Sequence, residues 1–163
     1  MYFIVRILNC LYRNKGRYYN FGEIDNIEYI YRYGNVKNNR DHYNFGVSID
    51  KLPIFKILNI HAIVLDISFD TFDDNIKKFV ICHELGHEYL HISKIINDEL
   101  IGMEEKILVE HEADMFAVER ISWGMVHRSL KFLLNDTIIN NPQNNTLIES
   151  IKARIQLLEI NKD

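Results

Sequence analysis

Residues 83–87 read His83-Glu84-Leu85-Gly86-His87, an HExxH segment that decides how this chain is interpreted. On an α-helix, side chains four residues apart project from one face, one turn above the other. His83 and His87 can therefore offer two imidazole nitrogens to one metal ion, which for zinc lies about 2.0–2.1 Å from each nitrogen. Glu84 is expected roughly 100° around the helix from His83. There its carboxylate can take a proton from water without binding the metal.

A second polar cluster can complete this site. A catalytic zinc site has three protein ligands and one open position, so a further ligand is required. The cluster reads Glu110-His111-Glu112-Ala113-Asp114, and its first three residues are all able to bind zinc. We favour Glu110, because Asp114 lies one helical turn after it. Asp114 can then accept the free N–H of a ligating histidine, an outer partner that such sites usually need.

Two residues beside the motif are less suitable as ligands. His91 is expected about 12 Å along the helix axis from His83, at about 1.5 Å per residue. We therefore predict a helix-end residue, whose imidazole bonds terminal carbonyls or interacts with the helix dipole. Cys82 directly precedes His83, and as a ligand it would disrupt the face shared by the two histidines. A small buried residue is the better interpretation of this cysteine.

The stretch from Phe79 to Ala117 resembles the ImmA/IrrE family of gluzincin-type metallopeptidases. The matching pieces are Phe79-Val80-Ile81-Cys82-His83-Glu84-Leu85-Gly86-His87, then Leu90-His91, then Glu110-x-x-Ala113-Asp114-x-Phe116-Ala117. The segment Ile60–Ile67 resembles the strand that precedes the HExxH helix in that family. The resemblance covers roughly residues 45–120.

The resemblance implies a role for each residue of the motif. His83, His87 and Glu110 would be ligands of a Zn²⁺ cofactor, and Glu84 would be the catalytic base. The family further implies regulated proteolysis of a DNA-binding repressor, in the control of a mobile element or a stress response. The partner would then be a separate helix-turn-helix repressor. Two alternatives are a zinc-stabilised binding module that regulates a repressor by docking, and a general intracellular peptidase.

Length and composition set limits on the fold and the partners. The 163 residues fit one metallopeptidase domain, with a motif-bearing core at about 45–121 and C-terminal helices over 123–160. The net charge of −4 disfavours a broad phosphate-binding surface, so we expect no direct contact with nucleic acid. No segment reaches the roughly 18 apolar residues of a membrane span. A cytoplasmic protein is the resulting expectation.

The patterning predicts an α+β fold, in which a small β-sheet packs on a helical body. We expect it to be zincin-like, with HExxH on the active-site helix. Strands are predicted over 45–49 and 60–67, and residues 1–12 form either a strand or a short helix. Helices are predicted over 22–33, 74–91, 104–121, 123–134 and 146–160, the last opened by a capping box from Thr146 to Glu149. The segments 34–42, 92–102 and 135–145 are predicted loops.

Two further expectations concern the substrate. The strand before the HExxH helix can form one wall of the cleft, where an extended peptide adds to its edge by backbone hydrogen bonds. A residue that stabilises the developing oxyanion is also expected. Four residues are chemically able to do so, namely Tyr43, Tyr89, His111 and His127.

Overall fold

The protein has a mixed α+β fold in which helices predominate. The computed structural model describes residues 2–11, 17–24, 27–34, 47–49, 60–91 and 102–161. The chain divides into two compact units, Met1–Asp73 and Asp74–Asp163. The α+β prediction is therefore confirmed, whereas the packing of the sheet on the helical body stays a prediction. No helix in the described ranges is long and apolar enough to cross a membrane.

The first unit contains a short helix and a four-stranded sheet. The elements are helix α1 (Tyr2–Leu11) and strands β1 (Tyr18–Ile24), β2 (Ile27–Gly34), β3 (Val47–Ile49) and β4 (Ile60–Asp66), followed by a 3₁₀ turn over Ile67–Thr71. The strand order is β1-β2-β4-β3. β2 pairs in parallel with β4, and the β1–β2 and β3–β4 pairs are antiparallel.

Strand β4 lies in the interior of the sheet, as its sequence predicted. Its consecutive residues Ala62, Ile63, Val64 and Leu65 are all buried. Burial on both faces is what a β-branched, near-continuous apolar run favours, since an edge strand would alternate polar and apolar residues. Asn9 joins α1 to this sheet, because its side chain accepts from the Tyr18 backbone N–H at 2.6 Å and donates to the Tyr18 carbonyl at 3.1 Å.

The predicted helix over 22–33 was wrong, because this segment forms most of the β1–β2 pair. The apolar residues Ile24, Ile27 and Tyr31 fit a helical spacing, but they belong to two antiparallel strands. Gly22 has φ of 137° at a register shift, a conformation that L side chains rarely adopt. The bulge and the strand pairing therefore determine the structure of this segment, and the helical spacing of its apolar residues does not. The predicted loop at 34–42 lies almost wholly outside the described residues, as does that at 92–102.

The second unit is helical. It contains α2 (Asp74–His91), α3 (Met103–Ile121), α4 (Trp123–Asn140) and α5 (Asn145–Ile160). The predictions for α2 and α3 are confirmed to within one residue. Helix α4 continues six residues past the predicted end at Leu134, so the loop predicted from 135 begins only after Asn140. The capping box was wrong, since Asn144 caps α5 by accepting from the Leu147 backbone N–H at 3.0 Å.

Helices α2 and α3 approach closely at Gly86 and Ala113. A Cβ at Gly86 would lie 2.9 Å from Cα of Ala113 and 3.1 Å from Cβ of Phe116. Real Cβ atoms essentially never approach backbone to less than 3.0 Å. Glycine at position 86 therefore sets the spacing between the helix that carries HExxH and the helix that carries Glu110.

We expect Gly86→Ala to push these two helices apart. Overpacking of this kind costs about 1–3 kcal/mol of unfolding free energy, measured by urea denaturation, and it should also weaken metal binding. Gly124→Ala is the matched control, because among the described residues its Cβ would meet only the Arg128 side chain, at 3.7 Å. Gly124 lies in the first turn of α4, so the control should gain less than the roughly 0.5–1 kcal/mol expected within a helix. Equal stability changes in the two variants would contradict this account of the helix spacing.

Candidate metal centre

Three residues of α2 and α3 bring their possible ligand atoms close together. His83 Nε2 lies 3.1 Å from His87 Nε2 and 3.2 Å from Oε2 of Glu110. His87 Nε2 lies 3.4 Å from Oε1 of Glu110. Tetrahedral ligands held about 2.0–2.1 Å from one zinc ion are about 3.3–3.4 Å from one another. The observed spacing is close to that value, and the three residues can hold a metal ion.

Asp114 accepts a hydrogen bond from the ring of His83. Its Oδ1 is 2.9 Å from His83 Nδ1, and both side chains are buried. Because Nδ1–H is committed to this carboxylate, the neutral imidazole presents the lone pair of Nε2 to the centre. The structure therefore places Asp114 where the sequence expected an outer partner.

The ring of His87 is oriented by a second and longer chain of contacts. His91 Nε2–H donates to Oε2 of Glu112 at 2.7 Å, so a neutral His91 imidazole offers its Nδ1 as an acceptor. His87 Nδ1–H donates to that nitrogen at 3.1 Å. This pattern of tautomers leaves the lone pair of His87 Nε2 facing the centre.

The contacts of His91 differ from the prediction, and they separate the residues that could complete the pair of histidines. His91 does end α2, but its buried imidazole bonds His87 and Glu112 and not terminal carbonyls. Glu112 faces His91, and His111 Nε2 lies 3.1 Å from Nδ2 of Asn161. Among the three candidates, Glu110 is the residue that the structure brings to the two histidines of the motif.

Sequence reasoning missed Arg154, a buried residue of α5. Its Nε and Nη2 donate to Oδ2 and Oδ1 of Asp114 at 2.8 and 2.6 Å, and its Nη1 donates to Oε2 of Glu110 at 3.0 Å. A signal was available, because Arg154 shares the apolar face of α5 with Ile151, Ile155 and Leu158, all buried. A charged side chain on the core-facing side of an amphipathic helix indicates a buried partner of opposite charge.

Arg154 also determines the charge state of the carboxylates. Burial alone would raise the pKa of Asp114 and of Glu110, but the nearby guanidinium and the histidine hydrogen bonds outweigh it. The pKa of Asp114 is therefore lowered, and the pKa of Glu110 is held well below its usual value. Both carboxylates are ionised at neutral pH and act only as acceptors.

Glu84 differs from these carboxylates in its surroundings. It lies in α2 beside His83 and is partly exposed. Burial raises its pKa above the usual range and Glu110 adds to the rise, while His83, His87 and Arg154 oppose it. In the metal-free centre Glu84 is therefore protonated more readily than an ordinary glutamate.

The remaining predicted site residues lie in other surroundings. Cys82 is buried, as predicted, and burial raises its pKa to about 12, so it is a neutral thiol. Of the oxyanion candidates, His127 Nε2 lies 2.8 Å from Oε1 of Glu159, and the Tyr89 ring stacks on Phe116. His111 Nδ1 is buried and has no hydrogen-bond partner among the described residues. Tyr43 lies outside the described residues.

Comparisons with protein-family models, curated proteins and solved structures found no match for this chain. The chemical interpretation of the centre therefore rests on its geometry. Two imidazole lone pairs and one carboxylate face one another at 3.1–3.4 Å. Acceptors this close repel one another unless a cation or a proton lies between them.

In the metal-free protein, a proton on His83 can serve as that cation. Burial and the Arg154 charge lower the pKa of His83, but its hydrogen bonds to Asp114 and Glu110 outweigh them and raise the pKa to about 9. Because this folded-state pKa exceeds the ordinary value of 6.5, protonated His83 stabilises the metal-free fold. This stabilisation is complete below about pH 6.5 and is lost as the pH rises through about 9.

We expect metal binding at pH 7 to release close to one proton, because a ligating histidine must be neutral. Metal affinity should therefore rise about tenfold per pH unit between about pH 6.5 and 9 and then level off. Calorimetric titration in two buffers with different protonation enthalpies measures the released proton. A release near zero at pH 7 would show that His83 is not the protonated group.

Proposed function

We propose that this chain is a zinc-dependent metalloendopeptidase that hydrolyses a peptide bond in a protein substrate. The observation that carries the proposal is the convergence of His83 Nε2, His87 Nε2 and the Glu110 carboxylate at 3.1–3.4 Å. The adjacent Glu84 supplies a carboxylate that is not one of the three ligands. Together these residues form a set of two histidines and one glutamate with a base beside it.

The donor set fits zinc better than it fits calcium or magnesium. Two imidazoles and one carboxylate form a ligand set of catalytic zinc sites, whereas calcium and magnesium select oxygen ligands. Three protein ligands leave one coordination position for water or substrate, which distinguishes a catalytic site from a closed structural one. The outer partners Asp114 and His91 keep both imidazoles in the tautomer that zinc requires.

The proposed reaction assigns separate tasks to the zinc site and to Glu84. When bound, zinc supplies a Lewis acid that polarises a carbonyl and lowers the pKa of water. The Glu84 carboxylate takes the proton from the attacking water, and this proton then passes from Glu84 to the departing amine nitrogen.

We propose a DNA-binding repressor as the substrate class, a separate protein of helix-turn-helix type. The support for this class is the resemblance of Phe79–Ala117 to ImmA/IrrE metallopeptidases. The net charge of −4 is consistent with a protein partner, because phosphate binding needs a basic surface. A helix-turn-helix protein encoded in a neighbouring gene is the first substrate to test.

The proposal is tested by incubating the purified chain with that repressor, with and without a chelator. We expect a discrete cleavage product, no product after chelation, and recovery of cleavage when Zn²⁺ is added back. Mass spectrometry of the fragments identifies the bond that is cut. Cleavage that persists at an unchanged rate in chelator would contradict a zinc-dependent reaction.

A further inference from the structure

The buried guanidinium of Arg154 has no part in the proton transfers described above. Its side chain is 2% exposed, and it lies on α5, 40 residues from Asp114 and 44 from Glu110 in sequence. Such a group is costly to bury unless its N–H donors are satisfied by charged partners. Three of its nitrogens are satisfied by Asp114 and Glu110, both of which belong to the metal centre.

The contact with Asp114 fixes the carboxylate that orients His83. Arg154 holds both oxygens of Asp114 in a bidentate arrangement, at 2.8 and 2.6 Å. Oδ1 of Asp114 is shared, since it also accepts from His83 Nδ1 at 2.9 Å. Arg154 Nη2 consequently lies 3.4 Å from that nitrogen, because both groups point to one oxygen. The carboxylate plane, and with it the ring of His83, is held by the planar fork of the arginine.

The hydrogen bond from Arg154 to Glu110 positions a proposed metal ligand directly. Arg154 Nη1 donates to Oε2 of Glu110 at 3.0 Å, and the same oxygen lies 3.2 Å from His83 Nε2. Oε1 is the oxygen closer to His87, at 3.4 Å. Glu110 is about one-third exposed, so without this contact its side chain could adopt rotamers that face solvent.

The charge of Arg154 and its geometry have opposite effects on metal binding. A positive charge beside a cation site weakens metal binding by Coulomb repulsion. The hydrogen bonds, in contrast, hold the carboxylates of Asp114 and Glu110 in place before the metal arrives, which strengthens binding. Removal of the side chain should therefore raise the metal affinity if charge repulsion dominates, and lower it if the hydrogen bonds dominate.

We propose that Arg154 is a positioning residue of the metal centre, through which α5 holds Glu110 and the Asp114–His83 pair in metal-binding geometry. The inference rests on the proposed function, because it requires that His83, His87 and Glu110 bind a metal ion. It adds the C-terminal helix to a site whose HExxH and glutamate motifs lie on α2 and α3. It also means that the hydrogen bonds of Arg154 strengthen metal binding by more than its positive charge weakens it.

The test is a titration of the full chain with Co²⁺, whose visible absorption reports coordination geometry, followed by competition with Zn²⁺. Arg154→Gln should bind both ions about 10–100-fold more weakly than the wild type, the usual effect of losing an outer partner. Arg154→Lys keeps the positive charge but loses the planar, bidentate N–H donors of the guanidinium. We therefore expect an intermediate loss of metal affinity and an altered Co²⁺ spectrum. Lys152→Gln is the matched control, since it removes one exposed charge from the same helix and should bind like the wild type.

The outcomes separate this inference from the function on which it rests. Wild-type protein that binds neither ion would refute the metal site itself. If the wild type binds and Arg154→Gln binds equally well or more tightly, the positioning role is overturned, because charge then outweighs geometry. If circular dichroism shows that Arg154→Gln does not fold, Arg154→Lys decides the question. An affinity and spectrum identical to the wild type in that variant would likewise overturn the inference.

Discussion

Glu84→Gln is expected to retain its metal and to lose cleavage of the repressor by a factor of about 10²–10⁴, the usual contribution of a general base. Glutamine has nearly the same shape as glutamate but cannot accept the proton from the attacking water. Glu84 is not one of the three converging ligands, so metal content should not change. The measurement pairs a cleavage rate with the zinc content of the same preparation.

The control for this variant is Glu105→Gln, which removes an exposed carboxylate from the first turn of α3. It should cleave at the wild-type rate. Undiminished cleavage by Glu84→Gln would exclude Glu84 as the base. A zinc-stabilised binding module is also distinguished by this variant, because a module that acts by docking would still relieve repression when position 84 is glutamine.

Glu110→Gln is expected to reduce zinc affinity by more than the roughly 10–100-fold that loss of an outer partner causes. The amide is neutral, so it supplies neither the anionic oxygen of the site nor the ionic contact with Arg154. His83 and His87 would remain as two ligands, fewer than a catalytic zinc site requires. Competition with a chromophoric chelator measures the affinity.

Glu119→Gln is the matched control for this ligand variant. It lies on the same helix, and its mainly exposed side chain contacts only the adjacent Arg120 among the ion pairs of the described residues. Exposed pairs of this kind contribute little to stability, so folding and zinc affinity should be unchanged. If Glu110→Gln and the control bind zinc with equal affinity, the third ligand is a residue other than Glu110.

Local spacing made much of the candidate centre predictable. His87 follows His83 by four residues, and Asp114 follows Glu110 by four. On a helix this offset places each pair on one face, independently of the tertiary structure. Helices α2 and α3 were accordingly predicted to within one residue. The apolar run of β4 was equally informative, because burial on both faces requires four consecutive apolar residues there.

The features that sequence reasoning missed depend on contacts between distant residues. Arg154 is paired with Asp114 across 40 positions, and no spacing rule relates the two helices. His91 was placed correctly at a helix end, but its partner Glu112 lies on α3. The segment 22–33 forms strands, because the pairing of β1 with β2 outweighs the helical spacing of its apolar residues. Helix α4 continues beyond the predicted end at Leu134, and in this continuation the Thr137 hydroxyl donates to the Leu133 carbonyl at 2.8 Å.

The central claim is that His83, His87 and Glu110 bind one zinc ion. Elemental analysis of protein purified without added metal, beside a His83→Ala variant prepared in the same way, tests this claim most directly. The geometry predicts close to one zinc per chain in the wild type and a large loss in the variant. Equal metal content in the two proteins would contradict it.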